Sequence, residues 1–247
     1  MAMARIAPYL AAAVLMASGI AGQAILKAKR PGSAPALAEG LFAAMGGLRS
    51  VAAEIVWFRA DRLQESGRYV ELAQLASTLA MLEPHTPEVW SYAAWNLAYN
   101  VSVMMPTHED RWRWVSAAIS LLRDKGLKYN PREAELYREL AWMFEVKIGA
   151  DIDSAAPVYR EKWKETMERI VRDDAWEEVG MDRKTVEYVS KVYGIDDWTD
   201  PQASAIYWAT LGTDCAAKGN NRAFLLEIIR QAKIIYDRNH GNLIQLP

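Results

Sequence analysis

The chain has 247 residues, of which 51% are hydrophobic and 24% are charged, and its formal net charge is -2. This balance is typical of a globular protein with enough material for a buried core. It offers no concentrated basic face, so no nucleic-acid partner is predicted. The single cysteine, Cys215, excludes an internal disulfide and a cysteine-based metal cluster.

The N-terminus carries a long apolar segment. Residues 6–26 contain no charged side chain, and as a helix they would span roughly 31 Å, about one bilayer core. A cleavable signal peptide is the alternative, with residues 22–24 (Gly-Gln-Ala) as its cleavage site, but the apolar run is long for one. We therefore predict a single-pass, uncleaved signal-anchor helix in the inner (plasma) membrane, within an N-terminal segment of residues 1–30.

The orientation of this anchor has two competing indications. Lys27, Lys29 and Arg30 follow the apolar segment and only Arg5 precedes it, which favours a cytoplasmic C-terminal part. N-terminal anchors of bacterial proteins generally export the part that follows, which favours a periplasmic one. We prefer the exported, periplasmic orientation, and the cytoplasmic one stays open.

A short connecting region follows the anchor. Residues 31–35 (Pro-Gly-Ser-Ala-Pro) break any continuing helix, whereas residues 36–45 can form one before Gly46 and Gly47 end it. Residues 31–49 are therefore predicted to be a linker and lead-in helix.

Residues 50–247 show helical periodicity and no convincing strand, which predicts an all-α fold. The apolar stripe of Leu72, Leu75, Leu79 and Leu82 is typical of it. Thr107 is predicted to cap a helix that begins near Glu109. Further helices are predicted over residues 157–173, 183–193 and 224–236.

Similar helix starts recur in this region at residues 56–63, 90–97 and 137–144, and Trp90 follows Val56 by 34 residues. Each start carries a small residue (Ala60, Ala94, Ala141) with a large apolar residue three positions later, and Trp208-x2-Leu211-Gly212 repeats the theme. This pattern resembles the tetratricopeptide (TPR) repeat. The resemblance implies helix-turn-helix repeats that form an alpha-alpha superhelix over residues 50–247.

The second repeat departs from the family pattern. Pro131 follows Pro84 by 47 residues instead of 34, and the excess falls between Asn100 and Ser116. We predict a loop over residues 101–109 before the helix that Thr107 caps. Insertions in repeats lie on one face and are often a contact surface.

The resemblance also implies a binding surface, because the first helix of each TPR pair lines a concave groove that holds a protein or peptide. The matching positions here are rich in aromatic residues, with one arginine, and such residues dominate interface energetics. The predicted partner-binding residues are Trp57, Phe58, Asp61, Tyr92, Trp95, Tyr99, Arg138, Glu139 and Trp142. Because the pattern assigns Ala94 and Leu97 to the helix-packing side, Trp95 and Tyr99 are expected to point largely away from it.

The sequence thus predicts a membrane-anchored, non-catalytic scaffold or adaptor, an accessory subunit of a membrane or envelope complex. The alternative is a helical enzyme or a glycan- or lipid-binding protein that uses the aromatic groove. No catalytic residue, metal ligand or cofactor site is predicted. His108-Glu109-Asp110, for example, lacks the second histidine that a zinc-binding helix of the metalloprotease type needs.

Overall fold

The structure is a computed structural model that describes residues 59, 62–63, 65–68, 71, 75, 83–216 and 220–241. These residues form helices and turns, with no strand among them, which confirms the predicted all-α class. None of the helices in these ranges has both the length and the apolar character of a membrane span. The predicted anchor (6–26) and the predicted linker and lead-in helix (31–49) lie outside the described residues.

The chain divides into two compact units, Met1–Gly67 and Arg68–Pro247. The helices numbered here all belong to the second unit, and the short turn Leu127–Tyr129 is left unnumbered. They are α1 (Pro87–Trp95), α2 (His108–Leu121), α3 (Ala134–Trp142), α4 (Ala156–Asp173), α5 (Arg183–Tyr193), α6 (Pro201–Cys215) and α7 (Asn220–Asn239).

The first three helices each widen at the C-terminal end into a π-helical segment. These segments are π1 (Asn96–Val101), π2 (Leu122–Gly126) and π3 (Met143–Ile148). In π1 the Asn96 side-chain amide donates to the Tyr92 carbonyl at 3.0 Å, and the Asn100 amide donates to Asn96 Oδ1 at 2.6 Å. These side-chain bonds supply hydrogen-bond partners in a segment where the backbone has left the α-helical bonding pattern.

The connection between α1 and α2 is shorter than predicted. A 3-10 turn, Ser102–Met104, continues π1, so only residues 105–107 are non-helical before α2. The predicted loop over residues 101–109 is therefore wrong at both ends, because the insertion is absorbed by extra helical turns. The cap itself is confirmed: the Thr107 hydroxyl accepts from the Asp110 backbone N–H at 3.1 Å.

The middle of the second unit is helix α6. Asp200 caps it by accepting from the Gln202 backbone N–H at 2.8 Å, and Pro201 occupies its first position. Every residue from 201 to 210 is buried, and α3 and α7 pack most extensively against it. At Gly212 a Cβ would lie 2.8 Å from Tyr137 Cβ and 2.9 Å from Leu225, so α3, α6 and α7 approach closely there. A helix buried all round is a core helix.

Candidate functional site

The predicted partner-binding residues fall into two groups. Trp57, Phe58 and Asp61 lie outside the described residues. The other six lie on α1, on π1, which continues α1, and on α3. They are Tyr92, Trp95, Tyr99, Arg138, Glu139 and Trp142.

Trp95 and Tyr99 form an aromatic pair on one side of α1 and π1. Their ring centroids are 5.7 Å apart and the planes are inclined by 26°. Ala94 and Leu97 are buried on the packing side, as predicted, and Trp95 keeps 43% of its surface exposed. The Tyr99 hydroxyl is buried. The pair is thus a stacked, partly open surface.

Trp142 and Phe224 extend this surface onto α3 and α7. Their centroids are 5.5 Å apart, and Phe224 is 43% exposed. Burial raises the pKa of Tyr99, nearby Glu139 raises it further and Trp142 lowers it, which places Tyr99 next to both α3 residues. Trp95, Tyr99, Trp142 and Phe224 are called the aromatic face. Sequence reasoning missed Phe224, since the family pattern treats α7 as the outer helix of its pair.

Arg138 and Glu139 form the polar border of the aromatic face. Arg138 Nη2 lies 2.7 Å from Glu139 Oε1, and its Nη1 donates to Asn221 Oδ1 at 2.6 Å. The Arg138 guanidinium also lies 5.8 Å from the Phe224 ring centroid. Tyr92 is half-buried, and its carbonyl accepts the Asn96 amide. The border is a paired, ordered set of polar groups.

The contacts between α3–π3 and α7 follow a regular register. Arg138 meets Asn221, Trp142 meets Phe224, and one turn further on the charge of Glu227 acts on Glu145. Residue numbers rise together on both sides, so the two segments run parallel. Two carboxylates therefore lie next to the aromatic face.

Glu145 is buried at this position with only 7% of its surface exposed. Its Oε2 atom has no hydrogen-bond partner. Burial raises the pKa of Glu145 to about 7, with a further contribution from Glu227. Glu227 itself is exposed, and hydrogen bonds from Arg230 and Gln231 lower its pKa to about 2. The available sequence signal was a lone acid among Met143, Phe144 and Val146.

A buried ionic cluster lies under the other end of the face. Lys147 Nζ is 2.6 Å from Asp153 Oδ2, and the Tyr159 hydroxyl donates to the same oxygen at 3.0 Å. Arg111 pairs with the second oxygen of Asp153 at 3.2 Å. Lys147 Nζ also lies 5.1 Å from the Tyr99 ring centroid. These contacts tie α2, π3 and α4 together beneath Tyr99.

A groove of about 580 Å³ lies between the end of α4 and α5. Trp176, Val186 and Trp198 are among its lining residues. Its polar groups already pair with one another: Arg183 binds Asp174 and Glu187, and Trp198 Nε1 donates to Ser190 at 3.0 Å. It offers a ligand no unpaired buried polar group.

The histidines do not gather into a site. His85 and His108 are exposed, while His240 lies against Tyr236 and has Nε2 3.1 Å from Asp197 Oδ2. Across the ranges that the structure describes, no set of three or more His, Cys, Asp or Glu side chains could hold a metal ion. Cys215 is half-buried at the end of α6.

Comparison of the chain with protein-family models, curated proteins and solved structures gives no match. Any functional proposal therefore rests on the residues and geometry of this chain.

Proposed function

We propose that the chain is a non-catalytic scaffold or adaptor that binds a protein or peptide partner across the aromatic face. In this proposal the helices are TPR-like repeats of an alpha-alpha superhelix. Residues 6–26 hold the module in the inner membrane as a single transmembrane helix, with the helical part on the periplasmic side. The partner is a component of a membrane or envelope complex, and the chain is its accessory subunit.

One observation carries the proposal: four aromatic side chains from three helices form one surface that is still open to solvent. Trp95 and Phe224 each keep 43% of their surface exposed. Large exposed aromatic groups lower solubility unless a partner covers them. Aromatic residues bordered by an ordered arginine are also the usual centre of a binding interface. The Arg138–Glu139 pair supplies that border.

The binding surface is tested by site-specific photo-crosslinking in native membranes. A photoreactive phenylalanine replaces Trp95 or Phe224 in the full chain, and a matched chain carries it at Tyr188 on α5, which is 54% exposed. We expect the first two positions to crosslink to one segment of a partner and the third position not to. Equal labelling from all three positions would contradict the proposal.

A pair of double variants separates binding from folding. Trp95→Ala with Phe224→Ala removes exposed aromatic area and should abolish co-purification of the crosslinked partner. Tyr188→Ala with Val192→Ala removes exposed apolar area from α5 and should leave the partner bound, with a melting temperature close to that of the first double variant. If the first double variant instead melts well below this control, the aromatic face packs internally and the proposal fails.

The membrane attachment has its own test. The full chain should resist extraction from membranes with alkaline carbonate, and a chain that begins at residue 31 should be extracted. Protease added outside spheroplasts should digest the helical part if it is periplasmic. Digestion only after lysis would instead place it in the cytoplasm.

A further inference from the structure

Two buried side-chain oxygen atoms near π3 have no hydrogen-bond donor. Glu145 Oε2 is buried and unpartnered, and so is Oε1 of Gln202 on α6, a side chain with no exposed surface. The same Gln202 side chain donates its amide to the Glu145 backbone carbonyl at 3.1 Å. A buried acceptor without a donor is costly, and a buried carboxylate without a cation is more so. Of the two side chains, only Glu145 keeps some exposed surface (7%), so it is the one that a donor from outside can reach.

The surroundings define what kind of donor fits. Glu227, which acts on Glu145 from α7, is exposed and already binds Arg230 Nη2 at 2.5 Å. The charge left to be met is therefore that of Glu145. Trp142 and Phe224 lie one helical turn away on the same two segments, at 5.5 Å from each other. A carboxylate beside aromatic rings suits an organic cation.

We propose that the segment bound by the aromatic face carries a lysine or arginine side chain whose cationic head pairs with Glu145. This inference rests on the proposed function, because it names the chemistry of that partner. The aliphatic stem of the cationic residue lies along Trp142 and Phe224, and a neighbouring apolar residue covers Trp95 and Tyr99. Its head group pairs with the part of the Glu145 carboxylate that faces solvent, on the side of exposed Glu227.

A metal ion fits this position less well than a basic side chain. In the part of the chain that the structure describes, no group of three His, Cys, Asp or Glu residues is placed to hold one. A lysine or arginine brings its own apolar stem to the rings, and only its tip needs oxygen partners. The charge of Glu145 and the adjoining aromatic area therefore both favour a lysine or arginine side chain.

A proton competes with the cation for Glu145. Burial raises the pKa of Glu145 to about 7, so the carboxyl is largely neutral at pH 6 and largely ionised at pH 8. The charged group that acts on it is Glu227 of α7, which is itself paired with Arg230, while Arg160 of α4 binds the carbonyls of Ile148 and Gly149 at the end of π3. On the α6 side, the neighbour of Glu145 is the neutral side chain of Gln202, which donates to the Glu145 backbone carbonyl. Binding of a cationic segment should therefore strengthen as pH rises through 7.

The test uses synthetic twelve-residue peptide pools with the full-length chain. Each pool is random except for one fixed tryptophan and, three positions later, one fixed lysine, arginine, citrulline or norleucine. At pH 8 we expect the lysine and arginine pools to bind about tenfold more tightly than the two neutral pools. For the lysine and arginine pools alone, affinity should fall about fivefold between pH 8 and pH 6, because the ionised fraction of Glu145 drops from about 90% to about 10% and the protonated form binds like a neutral pool.

Glu145→Gln keeps the shape of the side chain and removes its charge. It should erase the preference for lysine and arginine, and the pH dependence, while the neutral pools bind as before. Glu177→Gln, an exposed acid on the 3-10 turn before α5, is the matched control and should change neither. If Glu145→Gln does not fold, the pH dependence of lysine- and arginine-pool binding to the parent chain tests the proposal instead.

The possible failures are distinguishable. If pools bind and Trp142→Ala abolishes the binding, but lysine and arginine give no advantage, the cation proposal is wrong and the proposed function stands. A preference that survives in Glu145→Gln also refutes the cation proposal. If no pool binds the parent chain, both proposals fail together.

Discussion

Lys147 Nζ and Asp153 Oδ2 lie 2.6 Å apart, and both side chains are at least 95% buried. Tyr159 and Arg111 complete the bonds of the carboxylate, so neither charge of the pair lacks a partner. Removing one member of so deep an ion pair destabilises the protein strongly when it leaves the other as an unpaired buried charge. The pair joins π3 to the start of α4, directly under Tyr99 of the aromatic face.

Lys147→Met should lower the free energy of unfolding by about 1–3 kcal/mol, because it removes one of the two cations that pair with the buried Asp153 carboxylate. Chemical denaturation of the full chain measures the loss. Lys162→Met is the control, because Lys162 pairs with Glu165 on the exposed side of α4 and its removal should not shift the midpoint. Equal behaviour of the two variants would show that the buried pair does not hold the fold.

Asp153 should also make the protein sensitive to strong acid. Burial by itself raises the pKa of Asp153, but hydrogen bonds from Lys147, the Ala155 backbone and Tyr159 lower it to about 2. A depressed folded-state pKa contributes stability above the unfolded value of about 3.9, and this stability is lost as pH falls toward 2. Asp153→Asn should flatten the stability curve in that window. A parent chain that is equally stable at pH 4 and pH 2 would contradict the assignment.

Glu145 should change the stability of the protein in the opposite direction to Asp153, and in a higher pH range. Its folded-state pKa of about 7 exceeds the unfolded value, so the native state loses stability as pH rises from about 4.5 to 7. Relative to the parent, Glu145→Gln should therefore gain about 1–3 kcal/mol at pH 8 compared with pH 4. Urea unfolding at the two pH values measures this difference. A constant difference between variant and parent would show that the carboxyl titrates normally.

Gly149 should tolerate no side chain, since it follows π3 where α6 comes close. A Cβ there would lie 2.1 Å from Gln202 Nε2 and 2.7 Å from the Glu145 carbonyl oxygen. Gly149→Ala should cost about 1–3 kcal/mol because atoms on both sides must shift. Gly126→Ala is the matched control, with its nearest neighbours at 3.4 Å. Denaturation midpoints should separate the two, and equal midpoints would mean that α6 can move away.

The parts of the fold that the sequence predicted well are those that depend on local chemistry. Thr107 caps α2 through a bond to a residue three positions away, so its role can be read from the chain alone. The helices α4 and α5 follow from short-range periodicity and lie within one residue of the predicted bounds. The outward direction of Trp95 follows from the packing role of Ala94 and Leu97.

The features that were missed depend on contacts between distant residues. The π turns rest on side-chain bonds such as Asn100 to Asn96 and on neighbouring helices, which propensity does not encode. Phe224 joins the aromatic face because α7 runs parallel to α3, a relationship across more than 80 residues of sequence. The environment of Glu145 depends on the same alignment. Two residues that define the proposed site therefore required the structure.

The central position of α6 has a consequence for the order in which the protein is made. Its residues, Pro201–Cys215, leave the ribosome after α1–α5, although Leu140 of α3 and Phe144 of π3 are already synthesised and are buried in the folded protein. At about 5–20 residues per second, the roughly 80 residues from the start of α3 to the end of α6 take about 4–16 s to synthesise. During that interval the nascent helices expose apolar surface that α6 has not yet covered. A holding chaperone would bind to this surface in the same interval.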